Sequence, residues 1–267
     1  MRTPTTCADR RIETDAAGAG DSGSFAGAGL RIARVEVDGR TVWVKDFSRV
    51  SAPKWHGLQK AAFLLTRLEL VQPVPSPGGL QGLDHEVEAI RRFREIGARV
   101  PEILWIRGAV LAMSDIGKTI RDIRHRDGEA AIERPAIAAA RELGRIHASG
   151  LVHGRPILRN LTWDGRTPGF MDFEEQPLAV MRSDAARARD IVLLLMSLGR
   201  RCRPGVLEEA LDAYETPPGV RSELRRVAGA AQPLTGRFGR ILLKAVRLDS
   251  SGLLQTLAAL DTQFRQR

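Results

Sequence analysis

Four residues in this 267-residue chain, Lys45, Glu86, Asn160 and Asp172, combine side-chain type and spacing in a way that could do chemistry. Only five of the 41 basic side chains are lysine, and Lys45 ends the apolar run Val42-Trp43-Val44. A compact ammonium reaches between two phosphates, a use for which a planar guanidinium is a poor substitute. Glu86, Ile90 and Phe93 fall at i, i+4 and i+7, which puts the carboxylate on the inward stripe of a helix. Without a partner, that acid would serve only to complement the helix dipole. Asn160 ends the run His153-Gly154-Arg155-Pro156-Ile157-Leu158-Arg159-Asn160, and Asp172-Phe173-Glu174 begins twelve residues later. An amide oxygen and a carboxylate at the mouth of a hairpin make a hard-oxygen pair suited to magnesium, which needs few protein ligands.

The surrounding pattern supplies elements to hold these groups. Residues 1–24 are rich in Ala, Gly, Thr, Ser and Asp without apolar period and read as a flexible leader. Alternation over Leu30–Val37 and Arg40–Lys45, joined by Asp38-Gly39, predicts a β-hairpin. Lys54–Leu70 has a helical period, and the Pro- and Gly-rich break after it precedes a helix expected from Leu83 to Ile96. Strands are expected at 100–106 and 109–113, with Asp115-Ile116-Gly117 as a connector. Beyond it come a helix from about Pro135 to Gly150, short strands near Leu151–His153 and Leu161–Trp163, and helices from Ser183 onward. The expected class is α+β: a β-rich N-terminal part with an inserted helix, then a mainly helical part.

Composition narrows the function classes. A net charge of +9 and 43% hydrophobic residues describe a globular, basic chain and exclude collagen, coiled coil and wholesale disorder. The apolar run Ile191–Leu198 is far below the roughly 20 residues a membrane span needs. Ile12-Glu13-Thr14-Asp15 stands where a signal peptide would be apolar, and Cys7 with Cys202 forms neither a disulfide framework nor a zinc pattern, so a reducing cytoplasm is expected. Arginine suits anionic partners. It is spread evenly and is not interleaved with aromatics, so nucleic acid is not expected as a partner. The stripe of Lys54–Leu70, with Trp55 and basic neighbours, suits either an anionic membrane surface or packing on the protein's own sheet.

Taken in order, strand Lys, helix Glu, strand and connector, helix into H-x-x-x-x-x-x-N, then D-F-x, the sequence resembles the protein-kinase-like superfamily over residues 25 to about 200. The small size, Trp55-His56-Gly57-Leu58-Gln59-Lys60, Arg99-Val100-Pro101-Glu102-Ile103-Leu104 and Asp172-Phe173-Glu174-Glu175 are similar to bacterial lipopolysaccharide-core kinases. The resemblance implies a two-lobed fold, with the N-lobe at 25–115 and the C-lobe at 116–267, and ATP and Mg2+ in the cleft. It further implies that Lys45 holds the α- and β-phosphates, Glu86 orients Lys45, and Asn160 and Asp172 hold magnesium. Gly27 and Gly29 would cover the phosphates, Met113 and Asp115 would flank adenine at the hinge, and Asp190 would brace the catalytic loop. The implied partner is a small-molecule or lipid-linked sugar acceptor, met in the cytoplasm or at the inner membrane through residues 54–70.

Two positions depart from that pattern. Arg155 stands where the kinase pattern has the Asp that accepts the substrate proton, and arginine is no base at ordinary pH. Glu174 or Glu175 could take that proton, Arg155 could bind an acidic acceptor, or the protein could bind nucleotide without chemistry. Glu174 also replaces a glycine, which removes the permissive hinge and argues against a switching loop.

Overall fold

In the computed structural model, residues 31–48, 68–199, 202–203, 205–230 and 250–265 are described. The predicted hairpin forms as β1 (Ile32–Val37) and β2 (Arg40–Asp46), with Ile32 opposite Lys45 and Val35 opposite Val42. Asp38 and Gly39 both take positive φ, 50° and 72°, which matches the right-handed twist of the strands they join. β3 (Ile103–Arg107) and β4 (Val110–Ser114) complete an antiparallel sheet of order β1-β2-β4-β3. β2 is a central strand, so Val42, Val44 and Lys45 are all buried.

Helix α1 (Gly79–Glu95) starts earlier than expected, because the glycines read as a break admit close backbone contact. The Gly79 amide donates to the Phe47 carbonyl at 2.8 Å, and a Cβ on Gly82 would lie 2.1 Å from the Pro77 oxygen. Its buried stripe includes Leu83, Glu86, Val87, Ile90 and Phe93. Helix α2 (Ile120–Asp127) was not anticipated, although Thr119-x-x-Asp122 is a capping pattern. The Thr119 hydroxyl accepts from the Asp122 amide at 3.1 Å.

The remainder is mostly helical: α3 (Glu133–Ala148), α4 (Ser183–Leu198), α5 (Val206–Tyr214), α6 (Pro218–Ala230) and α7 (Ser250–Arg265), with the hairpin β5 (Leu161–Trp163) and β6 (Pro168–Phe170) beside them. Leu143 and Ile146 of α3 join Ile191, Leu194 and Leu195 of α4 in one core that reaches Phe93 and Leu111. The α+β expectation therefore holds, with a small antiparallel sheet and a helical remainder.

Other expected elements also differ, and the strand expected from 100 begins only at Ile103. Leu151–His153 is not a strand: the Leu151 amide donates to the Ile146 carbonyl, and the His153 and Gly154 amides go to the Asp190 carboxylate, so no ladder forms. The helix predicted to reach Leu70 does not, since Leu68 is extended and Glu69–Val71 is a separate 3-10 turn. Residues 1–30 and 49–67 lie outside the described residues, and with them the leader, Gly27, Gly29 and most of the candidate membrane-facing stripe. Among the described residues, no helix is long and apolar enough to cross a membrane.

Gly144 packs α3 against α5, and a Cβ there would meet the Tyr214 carbonyl oxygen at 2.3 Å. Gly144→Ala is expected to destabilise the chain by about 2 kcal/mol through overpacking. Gly229→Ala on α6, where nothing lies within 4 Å, should be neutral or stabilising. Urea denaturation of the two variants side by side checks the contrast.

Candidate functional site

Lys45 leaves β2 into the interior at 2% exposure, and a buried ammonium must find anions. It finds three. Its Nζ lies 2.6 Å from Glu86 Oε2, 2.8 Å from Asp172 Oδ1 and 2.7 Å from Glu174 Oε1. Glu86 arrives from α1, with its helical stripe turned toward the sheet, while Asp172 and Glu174 follow β6. Asp172 has a φ of 69°, a left-handed conformation uncommon for a side-chain-bearing residue, of the kind that collects at functional sites.

Electrostatics follow from this crowding. Burial alone would lower the Lys45 pKa, but Glu86, Asp172 and Glu174 together outweigh it and hold the ammonium well above its ordinary value. For Glu86, burial outweighs Lys45 and pushes the carboxyl up to about 7. Burial opposes ionisation of Asp172 too, yet Lys45 keeps it below the usual carboxylate range. Glu86 Oε1 is buried with no hydrogen-bond partner.

The loop that carries Asn160 is fixed from behind by α4. Asp190, fully buried, accepts from the His153 amide at 2.7 Å and the Gly154 amide at 3.0 Å. His147 Nε2 lies 3.3 Å from the same carboxylate, and its Nδ1 lies 2.6 Å from the Tyr214 hydroxyl. The His153 ring packs among Phe93, Phe170 and Phe173, and burial lowers its pKa. Within the loop, Asn160 Nδ2 donates to the Arg155 carbonyl at 3.0 Å, which leaves the amide oxygen as the group to offer a cation. The Met171 amide donates to the Asn160 carbonyl at 3.0 Å, extending the β5–β6 pairing up to Asp172.

These groups line a cleft of about 1240 Å³ between the sheet and the helical part. Lys45, Glu86, Met113, Asp115, Asn160 and Asp172 all border it. Asp115 is locally engaged: its Oδ1 accepts from Trp43 Nε1 at 3.0 Å and from the Gly117 amide at 3.2 Å, which fixes the connector against β2. Sequence reasoning weighed Glu174 as a base and did not place it on Lys45. Arg31 was missed altogether, although its Nη2 lies 2.5 Å from Glu174 Oε1. The signal for Arg31 was its position opposite the lysine-bearing end of β2.

The donor set suits a hard divalent cation. Glu86, Asp172 and Glu174 can each offer an oxygen within 4.8 Å of one another, and the three carboxylates outnumber the two cations, Lys45 and Arg31, that meet them. Asn160 adds a neutral oxygen at the same mouth. Arg155 carries no proton-accepting function: its Nη1 lies 3.2 Å from Glu175 Oε1, and Arg189 Nη2 holds Glu175 Oε2 at 2.6 Å.

No protein-family model matches the sequence. An uncharacterised protein of Haemophilus influenzae is 24% identical over 152 residues, which are 55% of this chain and 54% of that protein. The chain thus spans about half the length of this curated relative. The crystal structure of the macrolide 2'-phosphotransferase MphH from Brachybacterium faecium, as apoenzyme, is similar at TM-score 0.33 and 13% identity, over 88% of this chain and 90% of that one.

Glu86 gives the site a pH signature. Between about pH 4.5 and 7 folded Glu86 keeps a proton that the unfolded chain releases, so the Glu86 contribution to stability is greatest below this window. It falls as pH rises, by up to about 1.4 kcal/mol per pH unit. Glu86→Gln should flatten that slope, as read from urea midpoints at pH 5, 6 and 7.

Proposed function

We propose that the chain is a kinase-like, ATP-binding phosphotransferase whose cleft, between an N-lobe at 25–115 and a C-lobe at 116–267, takes nucleotide with magnesium. The observation that carries this reading is the meeting of Lys45, Glu86 and Asp172, from β2, α1 and the segment after β6, at 2.6 and 2.8 Å. No local rule brings together residues 41 and 127 positions apart; their convergence at a cleft wall has a use when phosphates must be gripped. Lys45 grips phosphate oxygens, Glu86 orients Lys45, and Asp172 with Asn160 holds the metal. Bound magnesium would neutralise phosphate charge. The Asp190 carboxylate keeps the loop from His153 to Asn160 in register with Asp172.

The acceptor we propose is a lipopolysaccharide-core sugar or a similar hydroxyl compound, encountered in the cytoplasm or at the inner-membrane face. It rests on the resemblance of Arg99–Leu104 and Asp172–Glu175 to those kinases.

A second reading, a nucleotide-binding module without catalysis, is favoured by the acids near the loop. Glu174 lies between Lys45 and Arg31, and Glu175 between Arg155 and Arg189. Each of these carboxylates is engaged by two cationic side chains of the cleft wall, and neither is left free for a substrate hydroxyl. Transfer in the first reading therefore depends on positioning and charge neutralisation, which carry most of phosphoryl transfer, without the roughly 10²- to 10⁴-fold of a general base.

Thermal unfolding with and without magnesium-ATP separates these readings from a protein that binds no nucleotide. Ligand at about 100 times its dissociation constant contributes roughly 2.7 kcal/mol and should raise Tm by several degrees. Asp172→Ala should abolish the magnesium-dependent part of the shift. Phosphorus NMR with Kdo or heptose acceptors then distinguishes turnover from silent binding; a chain that shows no shift at millimolar ATP refutes both.

A further inference from the structure

Lys45 is already paired with Glu86 and Asp172, so a third carboxylate is not needed to compensate its charge. Glu174 is nevertheless drawn in, and a single oxygen, Oε1, takes both contacts: Lys45 Nζ at 2.7 Å and Arg31 Nη2 at 2.5 Å. Lys45 lies in β2, and Arg31 immediately precedes the neighbouring strand β1. The Asp46 amide donates to the Arg31 carbonyl at 2.8 Å, which pins Arg31 beside the end of β2. Arg31 Nε is buried and has no hydrogen-bond partner, so the guanidinium holds a donor that the carboxylate leaves unused. Both cations and Glu174 line the cleft with Asp172 and Asn160.

An anionic oxygen held between an ammonium and a guanidinium at these distances has the surroundings of a phosphate oxygen. We propose that Glu174 Oε1 marks a phosphate seat: Arg31 and Lys45 together bind a phosphate group of the nucleotide, which displaces Glu174 from between them. This rests on the nucleotide-binding reading above and adds Arg31 as a phosphate-binding residue and Glu174 as the built-in competitor. A phosphate has more oxygens than a carboxylate and can also satisfy Arg31 Nε. Displacement strands no buried charge, because Lys45 keeps Glu86 and Asp172, while Glu174, with its side chain 15% exposed, turns to solvent. A carboxylate left in the seat repels the incoming phosphates, so nucleotide affinity is a difference between two anions competing for one pair of cations.

The rival role for Glu174, a magnesium ligand beside Asp172, predicts the opposite sign, and calorimetric titration with ATP in EDTA and in excess magnesium decides between them. In EDTA, Glu174→Gln should bind ATP about tenfold more tightly than the wild type, the scale of one lost charge-assisted contact. Glu174→Asp, which keeps the charge but shortens the reach, should move affinity in the same direction. Arg31→Gln should weaken ATP binding about tenfold. Arg34→Gln, which removes a cation from the same cleft where it pairs with Glu36, should stay within twofold and serves as the charge control. Unchanged affinity of Glu174→Gln in EDTA, or an Arg31→Gln effect no larger than that of Arg34→Gln, overturns the seat. A loss confined to magnesium overturns it in favour of metal ligation.

Inorganic tripolyphosphate separates this proposal from the function it rests on. If tripolyphosphate stabilises the wild type, more so in Glu174→Gln, while ATP binds no better, the seat stands and the nucleotide reading fails. If neither anion stabilises any variant that retains wild-type far-UV circular dichroism, the seat itself is refuted.

Discussion

A buried ammonium is the constraint around which the rest of the molecule is arranged. Lys45 sits on a central strand with almost no exposure, where an uncompensated charge would cost several kcal/mol. Compensation cannot come from its own strand, so it is imported from α1 and from the segment after β6. Each donor element must then be held: α1 by the close approach of Gly79 and Gly82 to the Phe47 and Pro77 backbone, and the Asp172 segment by the β5–β6 pairing that continues through Asn160 and Met171. Removing any one carboxylate leaves the ammonium paired, whereas removing the ammonium leaves three converging anions.

A second polar centre carries the other wall of the cleft. Asp190 holds the His153 and Gly154 amides and is itself backed by His147, which reaches Tyr214. Every member of this set is buried, and its hydrogen bonds replace those that a strand at 151–153 would have made. The aromatic cluster of Phe93, Phe170 and Phe173 around His153 joins the two centres, since Phe93 lies on the same stripe of α1 as Glu86 and Phe173 follows Asp172. The geometry at Lys45 is thereby tied to the packing of α4.

The arginine excess acquires local meaning at the cleft. Arg31 meets Glu174, Arg155 and Arg189 meet Glu175, and Arg99 clamps Thr162 and Asp164. Planar guanidinium groups serve where two elements must be joined through a carboxylate, and at the buried Lys45 position a lysine supplies a compact point charge. Burial accounts for the raised Glu86 carboxyl: the group is held as a Lys45 partner in surroundings that resist its ionisation.

The sequence by itself determined the local features: the Asp38-Gly39 hairpin, the Ile90 and Phe93 stripe that turned Glu86 inward, the hairpin between Asn160 and Asp172, and the α+β order. All of these follow from periodicities and turn chemistry that act within a few residues. It also singled out Lys45 by its rarity, and Arg155 as a residue that cannot accept a proton. Only the tertiary structure decided that Glu174 shares Lys45 with Glu86, that Arg31 meets the same Glu174 oxygen, and that Leu151–His153 gives up its strand to Asp190. Those outcomes depend on pairings 127 to 143 positions apart or on competition for backbone amides, and no local pattern encodes which distant anion a buried cation will take.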